Sequence, residues 1–219
     1  MIALKNCRAV TISDGIIDNA VILIEDGIIK AVGQDIEIPL DAGIIDLDGM
    51  WVTPGLIDAH SHLAMGEPGT RGSGDDDNEA TAPVTAHVRM IDSLDPESIG
   101  IPAARSAGFT ACCTLPGSAN VIGGTGIAVK LKDGQSIDDI VIPGTEVMKM
   151  ALGENPKGAY GSRKVMPMTR MGTGAVLREA LFNARQYAED KARAEQEGKP
   201  FKRDFKLEPL VPVVEGKMR

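Results

Sequence analysis

Two of the three histidines in this 219-residue chain are the residues whose type and spacing most directly suggest chemistry. His60 and His62 are separated by one residue and follow a brief apolar stretch that begins after Pro54-Gly55. Side chains two positions apart on a strand point to the same face, so two imidazoles at the end of a buried strand can together bind a divalent metal. Asp58 lies two residues earlier on that face. The alternative is a surface turn that happens to hold two histidines.

The elements that must position these residues follow from the apolar runs and turn signals. Residues 1–52 contain short runs rich in β-branched residues, and Asp26-Gly27 separates two of them in the manner of a hairpin turn. A small β-sandwich or sheet is therefore predicted for this segment.

Beyond residue 52, predicted strands and helices alternate. The strand that leads to His60 is followed by predicted strands over 109–115 and 146–153, helices over 98–107 and 173–197, and a glycine-rich loop over 120–126. This order indicates βα units with a parallel sheet, and in such folds chemistry lies at the carboxyl ends of the strands. Thr173 is the predicted N-cap of the second helix.

Composition excludes several classes of function. The formal net charge of −8 argues against binding to nucleic acid or to an anionic membrane, both of which favour a basic surface. No apolar run reaches the length of a membrane span, and no secretory signal is visible. The cysteine count of three, without a Cys-x-x-Cys pair, suggests neither a disulfide framework nor a zinc ribbon. We expect a reduced, cytoplasmic compartment.

Four segments resemble a known family. Residues 52–62, VTPGLIDAHSH, are similar to the P-G-x-I-D-x-H-x-H signature of the amidohydrolase superfamily, and residues 107–110, AGFT, resemble its entry into the second barrel strand. Residues 116–120, PGSAN, and 150–157, MALGENPK, resemble its imidazolonepropionase-like branch.

The resemblance implies a TIM-type (β/α) barrel that holds one or two divalent metals, usually zinc, and a metal-activated water that cleaves an amide or cyclic C–N bond. On this sequence it makes His60 and His62 metal ligands. It makes Glu154 the bridging carboxylate, with a carboxylated Lys149 as the alternative, and places Asp58 behind the ligands as a supporting group.

The resemblance also implies contacts with a small-molecule substrate. Asn120 lies in a loop that approaches the substrate in the resembled branch. His87 is a second candidate contact, although a histidine that only packs is the simpler interpretation. No residue is identified as the catalytic acid or base.

The segment 53–219 is shorter than the ~250 residues of a complete eight-stranded barrel, and no histidine follows His87. We therefore expect an α/β chain in which a small β element, residues 1–52, precedes an N-terminal half of a barrel, residues 53–219. Such a chain would bind metal weakly and turn over poorly unless a second copy or a partner chain completes the barrel. The alternative function is a non-catalytic or degenerate half-barrel module that acts by association.

Overall fold

The chain divides into two compact units in a computed structural model. The units are Met1–Gly55 and Leu56–Arg219, and the structure describes residues 1–66, 69, 74–134 and 136–219. None of the helices in these ranges has the length and apolar character needed to cross a membrane.

The first unit is built from five strands. They are β1 (Ile2–Val10), β2 (Ile16–Glu25), β3 (Ile28–Gly33), β4 (Gly43–Asp46) and β5 (Trp51–Val52). They form one sheet in the order β3-β2-β1-β4, in which β5 also pairs with β1. Neighbours in β1–β2–β3 are antiparallel, whereas β4 and β5 run parallel to β1. The all-strand composition agrees with the sequence, while a second packed sheet stays a prediction.

The β2–β3 hairpin turns at Asp26-Gly27, as its sequence predicts. Both residues have positive φ, 52° and 73°, which is the conformation that a type I′ turn requires. Successive residues of β2 are buried on opposite faces. Ile22 packs in a cluster with Cys7, and Leu23 packs in a cluster with Ala3. The period-2 alternation of strand side chains thus gives this small sheet an apolar contact surface on both sides.

The second unit contains a four-stranded sheet. Its strands, in spatial order, are β6 (Leu56–Ser61), β7 (Phe109–Thr114), β8 (Ile122–Lys130) and β9 (Val147–Met150). β6 and β7 are parallel, and β8 is antiparallel to both β7 and β9. The carboxyl ends of β6, β7 and β9 therefore meet at one edge of the sheet, beside the amino end of β8.

β8 corrects the sequence-based expectation of a loop over 120–126 and of an all-parallel sheet. Its glycines allow close backbone approach within a buried strand. A Cβ on Gly126 would lie 2.6 Å from the Thr114 carbonyl oxygen, and one on Gly124 would lie 2.3 Å from the Val88 carbonyl oxygen. Neighbouring backbone leaves no room for a side chain at these glycines. In the sequence alone, a glycine required by such crowding looks the same as a glycine in a flexible loop.

Five helices accompany this sheet in the part of the chain that the structure describes. They are α1 (Gly100–Ser106), α2 (Ile137–Ile140), α3 (Glu154–Gly161), α4 (Arg170–Gln196) and α5 (Val211–Val214), with 3₁₀ turns at Met90–Asp92 and Glu208–Leu210. α4 begins before the predicted start, because the Thr169 hydroxyl, rather than Thr173, accepts the capping hydrogen bond from the Gly172 N–H at 3.1 Å. One apolar core joins the sheet to α1 and α2, and a second joins it to α4.

The segment after α4 is attached to that helix through Glu208. The Glu208 carboxylate accepts hydrogen bonds from the Tyr187 hydroxyl and the Lys191 ammonium of α4. Arg203 lies 3.8 Å from the same carboxylate. The Lys191 hydrogen bond, followed by that of Tyr187, lowers the pKa of Glu208 below its ordinary value. Glu208 therefore stabilises the fold in its ionised form.

Glu208→Gln is expected to lower the free energy of unfolding by about 1 kcal/mol at pH 7, since the charge-assisted bonds are partly screened by solvent. A depressed carboxylate pKa contributes stability above the unfolded-state pKa, and this contribution is lost as pH falls through the folded-state pKa. Urea unfolding at pH 7 and pH 4 should therefore show a smaller difference between the two proteins at pH 4. An equal difference at both pH values would contradict the assigned ionic role.

Candidate metal centre

His60 and His62 lie at the carboxyl end of β6, where the sequence places them. Their rings are exposed, their centroids are 5.4 Å apart, and the ring planes are nearly perpendicular, at 83°. The strand is irregular between Asp58 and Ser61, where the pairing with β7 shifts in register. The two imidazoles are thus neighbours at the edge of the sheet where three strands end.

The tautomer of the neutral His62 ring follows from its hydrogen bond. Its Nδ1 atom lies 2.7 Å from the carbonyl oxygen of Leu115, the residue that follows β7. A carbonyl oxygen can only accept, so Nδ1 carries the proton and Nε2 keeps a lone pair. A backbone carbonyl on one ring nitrogen is a common way to fix a histidine whose other nitrogen binds a metal.

Lys149 is the second partner that the structure brings to the histidines. Its Nζ atom lies 3.1 Å from Nε2 of His60, although β7 and β8 separate their strands. Three inter-strand steps in a flat sheet would separate the two backbones by about 14 Å. The sheet is curled, and its inner face directs both side chains to one point.

The pKa values of Lys149 and His60 are both lowered, by burial and by charge. Lys149 is only 7% exposed, and this burial lowers the pKa of its ammonium group. The positive charge of Lys149, followed by burial, lowers the pKa of His60. His60 is therefore neutral at pH 7, with its ring available as a ligand, and the Lys149 amine loses its proton more readily than an ordinary lysine.

Glu154, the bridging carboxylate expected from the sequence, is not brought to the histidines. It is exposed at the first position of α3, where it borders an open cleft with Ser118 and Asn155. Gly153 ends the extended segment after β9, so Glu154 belongs to the following helix and not to the strand end. Lys149, the alternative in the sequence interpretation, occupies the position beside His60.

Asp58 contacts the backbone of a histidine and not its ring. Its carboxylate accepts a hydrogen bond of 3.1 Å from the His60 N–H. Asp58 also lines a small cavity with Cys112, whose thiol pKa is raised to about 11, mainly by burial and secondarily by the Asp58 charge. Asp58 thus fixes the irregular turn of β6, while a role behind a bound metal stays a prediction.

Asn120, the first candidate for substrate contact, is buried and fully engaged in hydrogen bonds. Its Nδ2 atom donates to the Glu79 carbonyl oxygen at 2.8 Å and to the Thr85 hydroxyl at 2.5 Å. Its Oδ1 atom accepts from the Tyr160 hydroxyl at 2.7 Å. Asn120 therefore joins α3 to the segment before β8, and each of its side-chain polar atoms already has a protein partner.

His87, the second candidate for substrate contact, lines a cavity with a volume of about 590 Å³. Its Nδ1 atom is buried and has no hydrogen-bond partner among the described residues, and its ring lies edge-on to Phe205. The lining also includes the cation Arg89 and five acidic residues, Asp75, Asp76, Asp77, Glu79 and Asp92. Pro116, which also lines the cavity, directly follows the Leu115 carbonyl that binds His62.

The donor chemistry of the centre fits a divalent metal. Two imidazoles with available nitrogens suit zinc and related ions, and the buried amine of Lys149 beside them is a third nitrogen group. No group of three or more His, Cys, Asp and Glu side chains that could hold a metal occurs within residues 1–66, 69, 74–134 and 136–219. Among the described residues, Lys149 is therefore a third side chain that could join the two histidines.

The sequence interpretation missed the Leu115 carbonyl and gave Lys149 only as the alternative to Glu154. The Leu115 carbonyl is a backbone group, for which only the Pro116-Gly117 strand end is a signal. Lys149 lies among the apolar residues Val147, Met148 and Met150 of a short strand. This pattern indicates a buried amine, because a short apolar strand buries the side chains that it carries.

Asn120→Ala is expected to lower the free energy of unfolding by about 2–3 kcal/mol, since it leaves the buried Tyr160 hydroxyl and Thr85 hydroxyl without this partner. Chemical unfolding of both proteins measures the difference. A variant with unchanged stability would contradict the structural role and restore Asn120 as a candidate for substrate contact.

Lys149→Met removes the charge beside His60 while keeping an unbranched side chain, and should raise the pKa of His60 toward its ordinary value of about 6.5. An NMR titration of the His60 ring in the metal-free chain measures this shift. Lys130→Met is the matched control, because Lys130 lies at the other end of β8, about 20 Å along the strand from the Gly124–Lys149 pair. A His60 pKa that is the same in all three proteins would show that Lys149 does not act on it.

Comparison with known proteins identifies relatives of this chain in sequence and in fold. A crystal structure of an amidohydrolase from Thermotoga maritima MSB8 aligns with the whole chain at a TM-score of 0.91 and 38% sequence identity, and the chain covers 56% of that protein. Amidohydrolase tasK of Hapsidospora irregularis is 37% identical over 179 residues, which represent 75% of this chain and 18% of that protein.

A shorter segment is 40% identical to the imidazolonepropionase of Pseudomonas aeruginosa over 67 residues, which represent 28% of this chain and 17% of that protein. No family model matches the chain. The chain thus spans little more than half the length of the structural relative and less than a fifth of the two sequence relatives. The agreement in sequence and fold, together with the matching imidazolonepropionase segment, shows that the chain belongs to the amidohydrolase superfamily.

Proposed function

We propose that this chain is part of a metal-dependent hydrolase that cleaves an amide or cyclic C–N bond of a small molecule. His60, His62 and Lys149 are the residues that would hold the metal, most simply zinc as one or two ions. The observation that carries the proposal is the 3.1 Å contact between Lys149 and His60 beside a His62 ring whose Nε2 is left free. The names of the relatives support the reaction class.

A bound divalent cation would lower the pKa of a water molecule to near neutrality and polarise the carbonyl of the scissile bond. The chain's own contribution is to orient donors. The Leu115 carbonyl holds the Nδ1 proton of His62 and so directs the Nε2 lone pair away from β7. Asp58 fixes the backbone of His60, and in the metal-free chain, before Lys149 is carboxylated, the charge of Lys149 favours the neutral form of that ring.

Lys149 must lose its positive charge before it can contribute to a cation site, because an ammonium group at this distance would repel the metal. Its buried amine can achieve this by reaction with carbon dioxide. The nitrogen lone pair forms an N–C bond, one proton is released, and the product is a carbamate anion with two oxygen donors. Burial favours the neutral amine that this step requires. We therefore prefer a carboxylated Lys149 to Glu154 as the bridging group.

The acid-lined cavity is the proposed substrate site. It begins at Pro116, one residue beyond the carbonyl that binds His62, and the buried Nδ1 of His87 lines it without a partner among the described residues. A polar substrate atom would satisfy that nitrogen. Asn120 is not part of the proposed site, since its side chain is buried and bonded to Glu79, Thr85 and Tyr160.

A second candidate function is a barrel module that works only in association with another chain or a second copy. Two observations favour it. The described residues contain no complete cluster of conventional ligands, and β6 is an edge strand with Leu56 and Ile57 exposed at 50% and 73%. Exposed apolar edge strands are the surfaces on which further strands pair.

Zinc content distinguishes the groups that hold the metal. After reconstitution with zinc and bicarbonate, elemental analysis should find bound zinc in the wild-type chain and at least tenfold weaker binding in His60→Ala, His62→Ala and Lys149→Ala. Carbon-13 NMR with labelled bicarbonate should show a carbamate signal that disappears in Lys149→Ala.

Glu154→Ala is the matched control and should bind zinc as the wild type does. Zinc retained in the His60→Ala/His62→Ala double variant would contradict the proposal, and zinc lost in Glu154→Ala would return the bridging role to Glu154. Hydrolysis of cyclic amides and N-acyl amino acids is then assayed on the zinc-loaded chain. Turnover that appears only after a partner chain is added would favour the second candidate function.

A further inference from the structure

The carbonyl oxygen of Leu115 is the group that sets the tautomer of His62, so its position has to be fixed by other residues. Leu115 follows the last residue of β7, and its own N–H donates to the Ser61 carbonyl oxygen at 2.9 Å. This bond holds one side of the Leu115 peptide. Pro116 comes next and has no N–H. The first backbone N–H that can anchor the chain on the other side, after the Leu115 carbonyl, is therefore that of Gly117.

The residues that hold this other side are Asp77 and Asn78. The Gly117 N–H donates to the Asp77 carbonyl oxygen at 2.6 Å, and the Ala119 N–H donates to Oδ1 of Asn78 at 2.9 Å. The Asn78 amide also donates to the Asp77 carboxylate at 2.8 Å. One exposed asparagine side chain thus bonds both to its own segment and to the backbone after Gly117.

Gly117 is the position against which the Asn78 amide packs. A Cβ at residue 117 would lie 2.2 Å from Nδ2 and 2.4 Å from Oδ1 of Asn78. The φ angle of Gly117 is not in the positive range, so the glycine is required here by space and not by conformation. Any side chain at 117 must displace the asparagine and break its bond to Ala119.

The segment that carries Asn78 is in turn attached to the histidine loop. The Asp76 N–H donates to the Met65 carbonyl oxygen at 3.0 Å, three residues after His62. The segment that contains Asn78 therefore links the ends of β6 and β7 in addition to the direct Leu115–Ser61 and His62–Leu115 bonds.

We propose that Asn78 is a positioning residue for His62. By holding the backbone after Gly117, it keeps the Leu115 carbonyl in place, and this keeps the His62 proton on Nδ1 and the Nε2 lone pair free for a cation. The proposal rests on the proposed function only for the identity of the ligand, because the effect on the ring exists without metal.

The test is the tautomer of His62 in the metal-free chain. Nitrogen-15 NMR of the histidine-labelled protein at about pH 8.5, well above the ordinary histidine pKa of about 6.5, distinguishes a protonated ring nitrogen from one with a lone pair. His62→Ala assigns the signals. The wild type should show Nδ1–H. Asn78→Ala and Gly117→Ala should both move the population toward Nε2–H and weaken zinc binding about tenfold.

The two changes should not be additive, since Gly117→Ala acts by displacing Asn78. The double variant is expected to match Asn78→Ala in tautomer and in zinc affinity. Asn183→Ala and Gly158→Ala, at exposed positions on α4 and α3, are matched controls and should leave both readouts unchanged. If buried Gly117→Ala does not fold, exposed Asn78→Ala still provides the tautomer test.

An unchanged His62 tautomer in a folded Asn78→Ala variant would overturn the proposal, and so would additive effects of the two substitutions. The tautomer readout is independent of metal. A wild-type chain that shows the predicted Nδ1–H signal and its loss in Asn78→Ala, but binds no zinc, would support the positioning role and reject the proposed function.

Discussion

The curvature of the β6–β9 sheet is the constraint on which the candidate centre depends. Lys149 and His60 belong to the two outer strands of that sheet, and only curling places a lysine amine within 3.1 Å of an imidazole across two intervening strands. Within this sheet, Gly124 and Gly126 of β8 let neighbouring backbone approach to distances that any Cβ would forbid. A sequence feature that resembles a loop is therefore part of the packed sheet.

Burial of Lys149 is a cost that a purely structural lysine would rarely impose on a fold. A buried amine loses hydration, and the described residues provide no carboxylate ion pair to offset that loss. The arrangement instead lowers the pKa of the amine and of the adjacent imidazole, which are the changes that metal binding and carboxylation need. Perturbed groups of this kind concentrate at functional sites.

Much of the architecture follows from sequence, because local signals determine it. The Asp26-Gly27 turn, the strand before His60 and the long helix α4 each depend on residues close in sequence, and each is found within a few positions of its predicted place. β8 was missed because the reason for its glycines lies in Val88 and Thr114, which are remote in sequence.

The candidate site shows the same difference between features that depend on neighbouring residues and features that depend on remote ones. His60 and His62 are one residue apart in sequence, and their spacing and motif make them the expected ligands. Our preference for Lys149 over Glu154 depends on where β9 ends and α3 begins, a boundary of a few residues that local patterns do not fix. Asn120 was expected to face a substrate, but its partners Thr85 and Tyr160 come from distant segments that no local pattern reveals.

We propose that the two imidazoles and the Lys149 side chain bind one divalent metal. X-ray absorption at the zinc edge of the reconstituted chain measures the ligands of that metal. We expect a coordination shell with two imidazole nitrogens at about 2.0–2.1 Å and an oxygen contribution that is lost in Lys149→Ala. A first shell of oxygen scatterers alone, unchanged by that substitution, would contradict it.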